Sequence, residues 1–149
     1  MKETAFSKRF IDEYMRPKFP HMWDLNVHGH DMQKMHVPDY LFCINSLFVA
    51  MEFKVQRDSR ISITPGQIKE LNNIKNANGI ALLIGYDEKK HRLLMREKRL
   101  DYKKIFFSGL SKPVKTKTIR IDWDFEFTDY EPITDLIGVM VENKAGLLA

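Results

Sequence analysis

One capped helix between two predicted strands limits the fold of this chain more than any other feature of its sequence. Thr64-Pro65-Gly66-Gln67 predicts the helix start, with Thr64 as the N-cap, Pro65 at the first helical position and Gln67 completing a capping box. The segments before and after the helix, 47–55 and 80–84, are predicted strands, and the second is almost entirely apolar. A helix that joins two strands in this way predicts a parallel crossover, and therefore an α/β domain with a mixed sheet.

Other segments give the order of elements around this crossover. The Asn45-Ser46 turn separates strand-like residues 40–44 from 47–55, which predicts an antiparallel hairpin. Apolar residues at helical spacing predict an N-terminal helix over 3–15, closed by Pro17 and Pro20. We further expect a loop or irregular strand at 21–38, a strand at 91–96, an alternating strand at 119–127 and a short helix at 134–143.

Composition excludes several classes of protein. The chain has 149 residues, of which 44% are hydrophobic and 30% are charged, as in an ordinary folded domain. No apolar run approaches the roughly 20 residues of a membrane span, and the N-terminus does not resemble a signal peptide. The single cysteine, Cys43, is predicted to be a packed core thiol. A reducing, cytoplasmic setting is expected, including the host cytoplasm if the chain is encoded by a phage.

Charge is distributed unevenly along the C-terminal third. The net charge is +4, and residues 98–117 hold seven bases against one acid, whereas residues 121–135 hold six acids and no base. The basic segment could contact phosphates, which makes Lys98, Arg99, Lys103 and Lys104 candidate nucleic-acid-binding residues. A solvated loop beside an acidic strand explains the same pattern equally well.

Three charged residues are expected to meet at one end of the hairpin. Glu52 and Lys54 point to the same face of their strand, because side chains alternate along a strand. A turn at Asn45-Ser46 brings Asp39 next to both. Two carboxylates that share a site repel each other, and a divalent cation such as Mg²⁺ or Mn²⁺ removes that repulsion. An internal salt bridge on an edge strand is the alternative interpretation.

An acid two residues before a lysine is a common pattern, so its context matters. It occurs four more times in this chain, each time in a polar or turn-like segment: Asp87/Lys89, Glu88/Lys90, Asp101/Lys103 and Glu142/Lys144. Only Glu52/Lys54 lies inside an apolar strand, where a solvated surface is a poor explanation.

These residues resemble the PD-(D/E)xK nuclease superfamily. Within it, Glu3 and Phe6 on a first helix, Pro38-Asp39-Tyr40, Glu52-Phe53-Lys54 and Thr64-Pro65 with Gln67 are similar to the VRR-NUC and Holliday-junction-resolvase-like branch. The resemblance covers about residues 3–86. It implies a restriction-endonuclease-like fold: a mixed β-sheet flanked by helices, with a C-terminal strand and helix added. A single nuclease domain over 1–149 is expected, with its core at about 3–96 and an extension at about 97–149.

The resemblance also implies roles for individual residues. Asp39, Glu52 and the Phe53 carbonyl would hold the metal, and Lys54 would act on the nucleophilic water. Glu3 corresponds to a first-helix acid that supports the metal site, although charge at a helix N-terminus explains it as well. Gln67 corresponds to a glutamine near the active site, and the capping box is an equally good explanation.

The activity implied by the resemblance is Mg²⁺- or Mn²⁺-dependent hydrolysis of phosphodiester bonds within DNA, with branched or junction DNA as one candidate substrate. The resemblance also suggests a homodimer. A catalytically inactive nucleic-acid-binding module with the same fold is the alternative, and a structural domain with an internal salt bridge is a third hypothesis. Lys34 and His36 are candidate phosphate contacts before the Pro-Asp pair. Zinc binding by His28, His30 and His36 is a weaker hypothesis, since no cysteine completes a familiar spacing.

Overall fold

Eight strands form two sheets in the protein, whose computed structural model describes residues 2–27, 36–106 and 117–148. The larger sheet has the spatial order β1-β2-β3-β5-β6-β8, in which β3 and β5 run parallel and the other neighbours are antiparallel. The small sheet pairs β4 with β7. The strands are β1 (Trp23–Asn26), β2 (Tyr40–Ile44), β3 (Leu47–Gln56), β4 (Ile61–Ile63), β5 (Ile80–Asp87), β6 (Arg92–Arg96), β7 (Lys117–Ile119) and β8 (Phe125–Phe127).

Helices flank the larger sheet on both faces. They are α1 (Glu3–Arg9), a π-helical segment (Phe10–Met15), α2 (Arg16–Lys18), α3 (Pro65–Asn76), α4 (Tyr102–Phe106) and α5 (Tyr130–Leu148). Across the described ranges, none of them is both long and apolar enough to cross a bilayer.

The central crossover forms as the sequence predicts. Thr64 Oγ1 accepts the Gln67 N–H at 3.1 Å, and the Gln67 side chain accepts the Thr64 N–H at 3.0 Å, which completes the capping box. The helix then ends before Asn78, whose φ of 67° is the left-handed conformation typical of a helix C-terminus. Strand β5 continues parallel to β3 from Ile80, the partner of Val49.

Two hydrophobic clusters hold the layers together, one on each face of the larger sheet. The first joins the N-terminal helix and α5 to the sheet and includes Phe6, Phe10, Met51, Phe53 and Ile137. The second lies under α3 and α4 and includes Ile61, Ile68, Leu83, Leu100 and Phe106. Adjacent residues of β3 therefore point into different layers.

The N-terminal helix continues through Pro17, so the prediction that this residue closes it is wrong. Its hydrogen bonding changes before the proline: the Arg16 N–H bonds to the Ile11 carbonyl at the end of the π-helical segment. Pro17 then lies in the first turn of α2, where the missing N–H has no required partner. The helix ends at Lys18.

The prediction of one alternating strand at 119–127 is also wrong. Ile119 ends β7 in the small sheet, and Phe125 begins β8 in the larger one. The chain bends between them because the Asp124 N–H donates to the Met95 carbonyl, while its carboxylate accepts N–H groups from the segment after β6. The predicted helix at 134–143 lies within the longer α5.

Candidate active site

Strand β3 loses one of its two neighbours halfway along its length. Pairing with β2 ends at Met51, so the Phe53 and Val55 N–H groups point to an open edge. Asp39 Oδ2 accepts the Phe53 N–H at 2.9 Å, and Glu3 Oε2 accepts the Val55 N–H at 3.3 Å. Two carboxylates thus replace the main chain of a neighbouring strand.

Asp39 lies directly across from Glu52. The pairing of Tyr40 with Met51 fixes this register, since Asp39 and Glu52 are the next residues outward. Glu52 is only 3% exposed. Burial raises the pKa of the Glu52 carboxyl well above its usual range, and the negative charge of Asp39 raises it further, while Lys54 acts in the opposite direction.

The amide of Gln67 bridges Lys54 and Glu52. Lys54 Nζ donates to Gln67 Oε1 at 3.0 Å, and Gln67 Nε2 donates to Glu52 Oε1 at 3.1 Å. Lys54 Nζ also lies 3.8 Å from Glu52 Oε1. The same Gln67 oxygen accepts the Thr64 N–H, so one side chain both caps α3 and orients these two charged groups. Gln67 therefore both caps α3 and lies beside the charged residues.

A second polar group, absent from the sequence-based interpretation, continues the row beyond Lys54. Trp123 Nε1 donates to Gln56 Oε1 at 2.8 Å, and Gln56 Nε2 donates to Asp87 Oδ2 at 2.7 Å. The Trp123 ring also covers Gly85, where an added Cβ would lie 2.7 Å from the ring. Gly85 pairs with Lys54, so the indole lies beside that lysine. In the sequence, this group was indicated only by the alternation of polar side chains that continues from Glu52 and Lys54 to Gln56.

The oxygen donors at the open edge fit a hard divalent cation. The carboxylates of Asp39 and Glu52 face each other, and the repulsion between them is the kind that a cation relieves. A strand residue directs its N–H and its carbonyl to the same side, so the Phe53 carbonyl also points to this edge. Among the described residues, no three His, Cys, Asp or Glu side chains gather as a ligand cluster. One or two carboxylates completed by carbonyl, water and phosphate oxygens suit Mg²⁺.

The candidate phosphate-binding residues are spread over several elements. His36 is exposed, and its Nδ1 lies 3.3 Å from Thr64 Oγ1, at the start of α3. Lys98 and Arg99 follow β6, which is separated from β3 by β5. The remaining described candidates, Lys103 and Lys104, are exposed on α4, which contacts α3. Lys34, His28 and His30 lie outside the described residues.

Cys43 does not lie in the core, so that prediction is wrong. Its side chain is exposed on the face of β2 that looks toward the α3 side. Helix α3 packs over β3 and β5, so it covers a different part of that face. A strand of an α/β sheet is usually buried on both faces, but β2 is not.

The fold is a mixed six-stranded sheet flanked by helices, with a restriction-endonuclease-like architecture, which confirms the expected fold class. No protein-family model and no curated protein sequence matches the chain. Among solved structures it is similar to Hjc of Archaeoglobus fulgidus, a Holliday junction resolvase from an archaeal hyperthermophile, with a TM-score of 0.50 and 12% sequence identity. The match covers 78% of this chain and 87% of that chain. At this level of identity the likeness concerns the fold alone.

Proposed function

We propose that this chain is a divalent-metal-dependent deoxyribonuclease of the PD-(D/E)xK type that hydrolyses phosphodiester bonds within DNA, including branched or junction DNA. The observation that carries the proposal is the pair of opposed carboxylates, Asp39 and Glu52, with Lys54 Nζ 3.8 Å from the second of them. The shared fold with a Holliday junction resolvase supports it.

Each residue has a defined part in this proposal. Asp39, Glu52 and the Phe53 carbonyl would hold Mg²⁺ or Mn²⁺, which when bound neutralises charge on the scissile phosphate and makes water a better nucleophile. Lys54 would donate a hydrogen bond to the attacking water or to the phosphate oxygen where charge develops. Gln67 would keep the ammonium of Lys54 in place, since it already accepts its hydrogen bond at 3.0 Å.

Lys54→Ala tests the proposal on four-way-junction, single-stranded and linear duplex DNA, with Mg²⁺ and with EDTA. We expect Mg²⁺-dependent cleavage by the parent chain and a loss of about 100-fold or more in the variant, because a donor aimed at developing charge is removed. Lys90→Ala is the matched control, since Lys90 belongs to another acid-x-lysine pattern and lies in an exposed turn. Unchanged cleavage by Lys54→Ala would remove this lysine from the mechanism.

The alternative is a nucleic-acid-binding module without turnover. One observation favours it: Lys54, Gln67 and Glu52 already form a closed hydrogen-bonded network within the protein. Against it, two carboxylates without a metal would repel the phosphates of a bound nucleic acid. Salt-sensitive DNA binding with no cleavage in Mg²⁺, Mn²⁺ or Co²⁺ would establish the module. The homodimer implied by the resemblance stays a prediction, which light scattering would test.

A further inference from the structure

Exposed aromatic side chains lie on the same sheet face as the candidate active site. Trp23 is 58% exposed and Phe48 is 45% exposed, although both belong to strands of the larger sheet. Cys43 pairs with Trp23 on one side and with Phe48 on the other, so the three side chains form a row across β1, β2 and β3. We call these three residues, Trp23, Cys43 and Phe48, the aromatic row. Because side chains alternate, Phe48 and Glu52 share one face of β3.

The dimensions of the aromatic row match those of a nucleic-acid strand that enters the site. Ala50, which lies between Phe48 and Glu52 on this face of β3, is fully buried, so a strand would follow β2 instead. Cys43 and Asp39 are four residues apart along the chain, which corresponds to about 13 Å. Nucleotides in a stacked strand follow each other at about 3.4 Å and those in an unstacked strand are further apart, so the row would lie at most about four nucleotides from a phosphate at the carboxylates. Trp23 and Phe48 stand two strand spacings apart, about 10 Å, with only the small Cys43 between them.

Cationic groups lie beyond one end of the aromatic row, where a sugar-phosphate backbone would need them. Phe48 and Gly79 line a groove of about 270 Å³. Gly79 also lines an adjoining cavity of about 330 Å³ at the edge of the sheet. Helix α3 contributes Lys75 to this cavity, α5 on the opposite face of the sheet contributes Lys144, and one acid, Glu97, also lines it. Aromatic surface beside ammonium groups is the combination by which proteins bind single-stranded nucleic acids.

We propose that the aromatic row stacks unpaired bases of the same strand whose phosphodiester bond lies at Asp39 and Glu52. The inference rests on the proposed nuclease function and deepens it by naming the substrate class. Only unstacked bases can lie on an aromatic ring, because the faces of paired bases are buried within a duplex. The preferred substrate is therefore DNA with single-stranded nucleotides within about four positions of the scissile bond. A continuous duplex is a poorer substrate.

Binding in EDTA tests the aromatic row without turnover. The probe is a fluorescein-labelled 20-nucleotide single strand without self-complementarity, compared with the duplex of the same sequence. We expect Trp23→Ala and Phe48→Ala each to weaken single-strand binding by about 5- to 100-fold, and duplex binding by less than about twofold. Phe125→Ala is the matched control, since Phe125 is a 40% exposed aromatic residue on β8, away from the row.

Intrinsic fluorescence gives a direct measure of stacking. The chain has two tryptophans, so Trp123→Phe leaves Trp23 as the sole indole emitter. We expect the single strand to quench this emission and the duplex to leave it nearly unchanged. Absence of quenching, or binding unchanged by both alanine substitutions, would overturn the aromatic row as a base platform. The base platform would also be overturned if the two alanine substitutions converted a dimer to a monomer without loss of DNA binding, because the row would then contact a second copy of the chain.

Cleavage measurements separate this inference from the proposed function. A single abasic site is moved along the unpaired strand of a branched substrate. We expect the cleavage rate of the parent chain to fall when the abasic site lies at a particular position within about four nucleotides of the cut, and this dependence to disappear in Phe48→Ala. Cleavage that requires Lys54 but shows no such dependence would refute the platform alone. Base stacking without cleavage in any metal would refute the nuclease and retain the platform.

Discussion

The two halves of β3 have different environments within one strand. Residues 47–51 pair with β2 on one side and, from Val49, with β5 on the other, and the buried side chains among them pack in apolar layers. Residues 52–56 keep only β5, and the carboxylates of Asp39 and Glu3 bond to their open edge. The half that is fully paired contributes stability, whereas the half that lost a neighbour gathers the charged groups. The proposed active site therefore lies where regular strand pairing ends.

The sharpest way to test this contrast is to substitute adjacent residues in the two halves. Met51 is fully buried, so we expect Met51→Ala to lower the free energy of unfolding by about 2–5 kcal/mol. Glu52→Gln removes a buried carboxylate that repels Asp39, so in metal-free buffer at pH 8 we expect a gain of about 0.5–2 kcal/mol. Urea denaturation measures both changes.

Addition of metal should reverse the second result. The parent chain gains about 2.7 kcal/mol when Mg²⁺ is 100-fold above its dissociation constant, which exceeds the advantage of Glu52→Gln in metal-free buffer, and Glu52→Gln gains nothing. Equal destabilisation by both substitutions, with or without metal, would contradict the contrast between the halves.

Stability should also be sensitive to close packing against the second half of β3, residues 52–56. An alanine Cβ at Gly85 would lie 2.7 Å from the Trp123 ring and 3.3 Å from Leu94 Cβ. We expect Gly85→Ala to cost about 1–3 kcal/mol of stability and to reduce cleavage, because the indole beside Lys54 must move. Gly146→Ala is the control: apart from its chain neighbours and the nearby backbone of its own helix, nothing lies within 4 Å of its added Cβ, and alanine favours a helix. A neutral Gly85→Ala would mean that Trp123 does not contact this part of the sheet.

Substitutions at Thr64 and Gln67 separate the capping role of Gln67 from its contact with Lys54. Thr64→Ala and Gln67→Ala each remove one side of the capping box, so we expect each to cost about 1 kcal/mol of stability. Only Gln67→Ala also frees Lys54 and Glu52, so it alone should reduce the cleavage rate, by about tenfold or more. Thermal denaturation and single-turnover cleavage of the two variants make the comparison, and equal rates would reduce Gln67 to a capping residue.

Lys75 provides a half-buried charge near the apolar half of β3, in the cavity that Gly79 also lines. Burial lowers the pKa of Lys75 from 10.5 to about 8. Between these values the unfolded chain binds more protons than the folded one, so this lysine makes stability rise as the pH increases from about 8 to 10.5. We expect Lys75→Met to gain on the order of 1 kcal/mol at pH 7 and to lose this advantage above pH 10.5, as measured by urea denaturation. A gain independent of pH would contradict the lowered pKa.

Local signals made much of the fold predictable. The hairpin at Asn45-Ser46, the capping box at Thr64 and the parallel crossover all depend on neighbouring residues, and the structure contains each of them. The segments that were missed or misassigned are short or bent by distant contacts. Strand β4 has three residues, and the bend at Asp124 depends on its bond to Met95.

The same distinction applies to the candidate site. Side-chain alternation sufficed to place Glu52 and Lys54 together, and the hairpin turn placed Asp39 opposite them. The bond from Trp123 to Gln56 joins residues 67 positions apart, which no local pattern reports. Exposure of Cys43 was likewise unpredictable, because it depends on how far α3 extends over the sheet.

The proposed function depends on a divalent cation that binds between Asp39 and Glu52. Anomalous scattering from a crystal soaked in Mn²⁺ tests this most directly. We expect one Mn²⁺ peak within about 2.5 Å of an oxygen of each carboxylate, with the Phe53 carbonyl as a further ligand, and loss of that peak in Glu52→Gln. No peak between these carboxylates at saturating Mn²⁺, or a peak unaffected by Glu52→Gln, would contradict it.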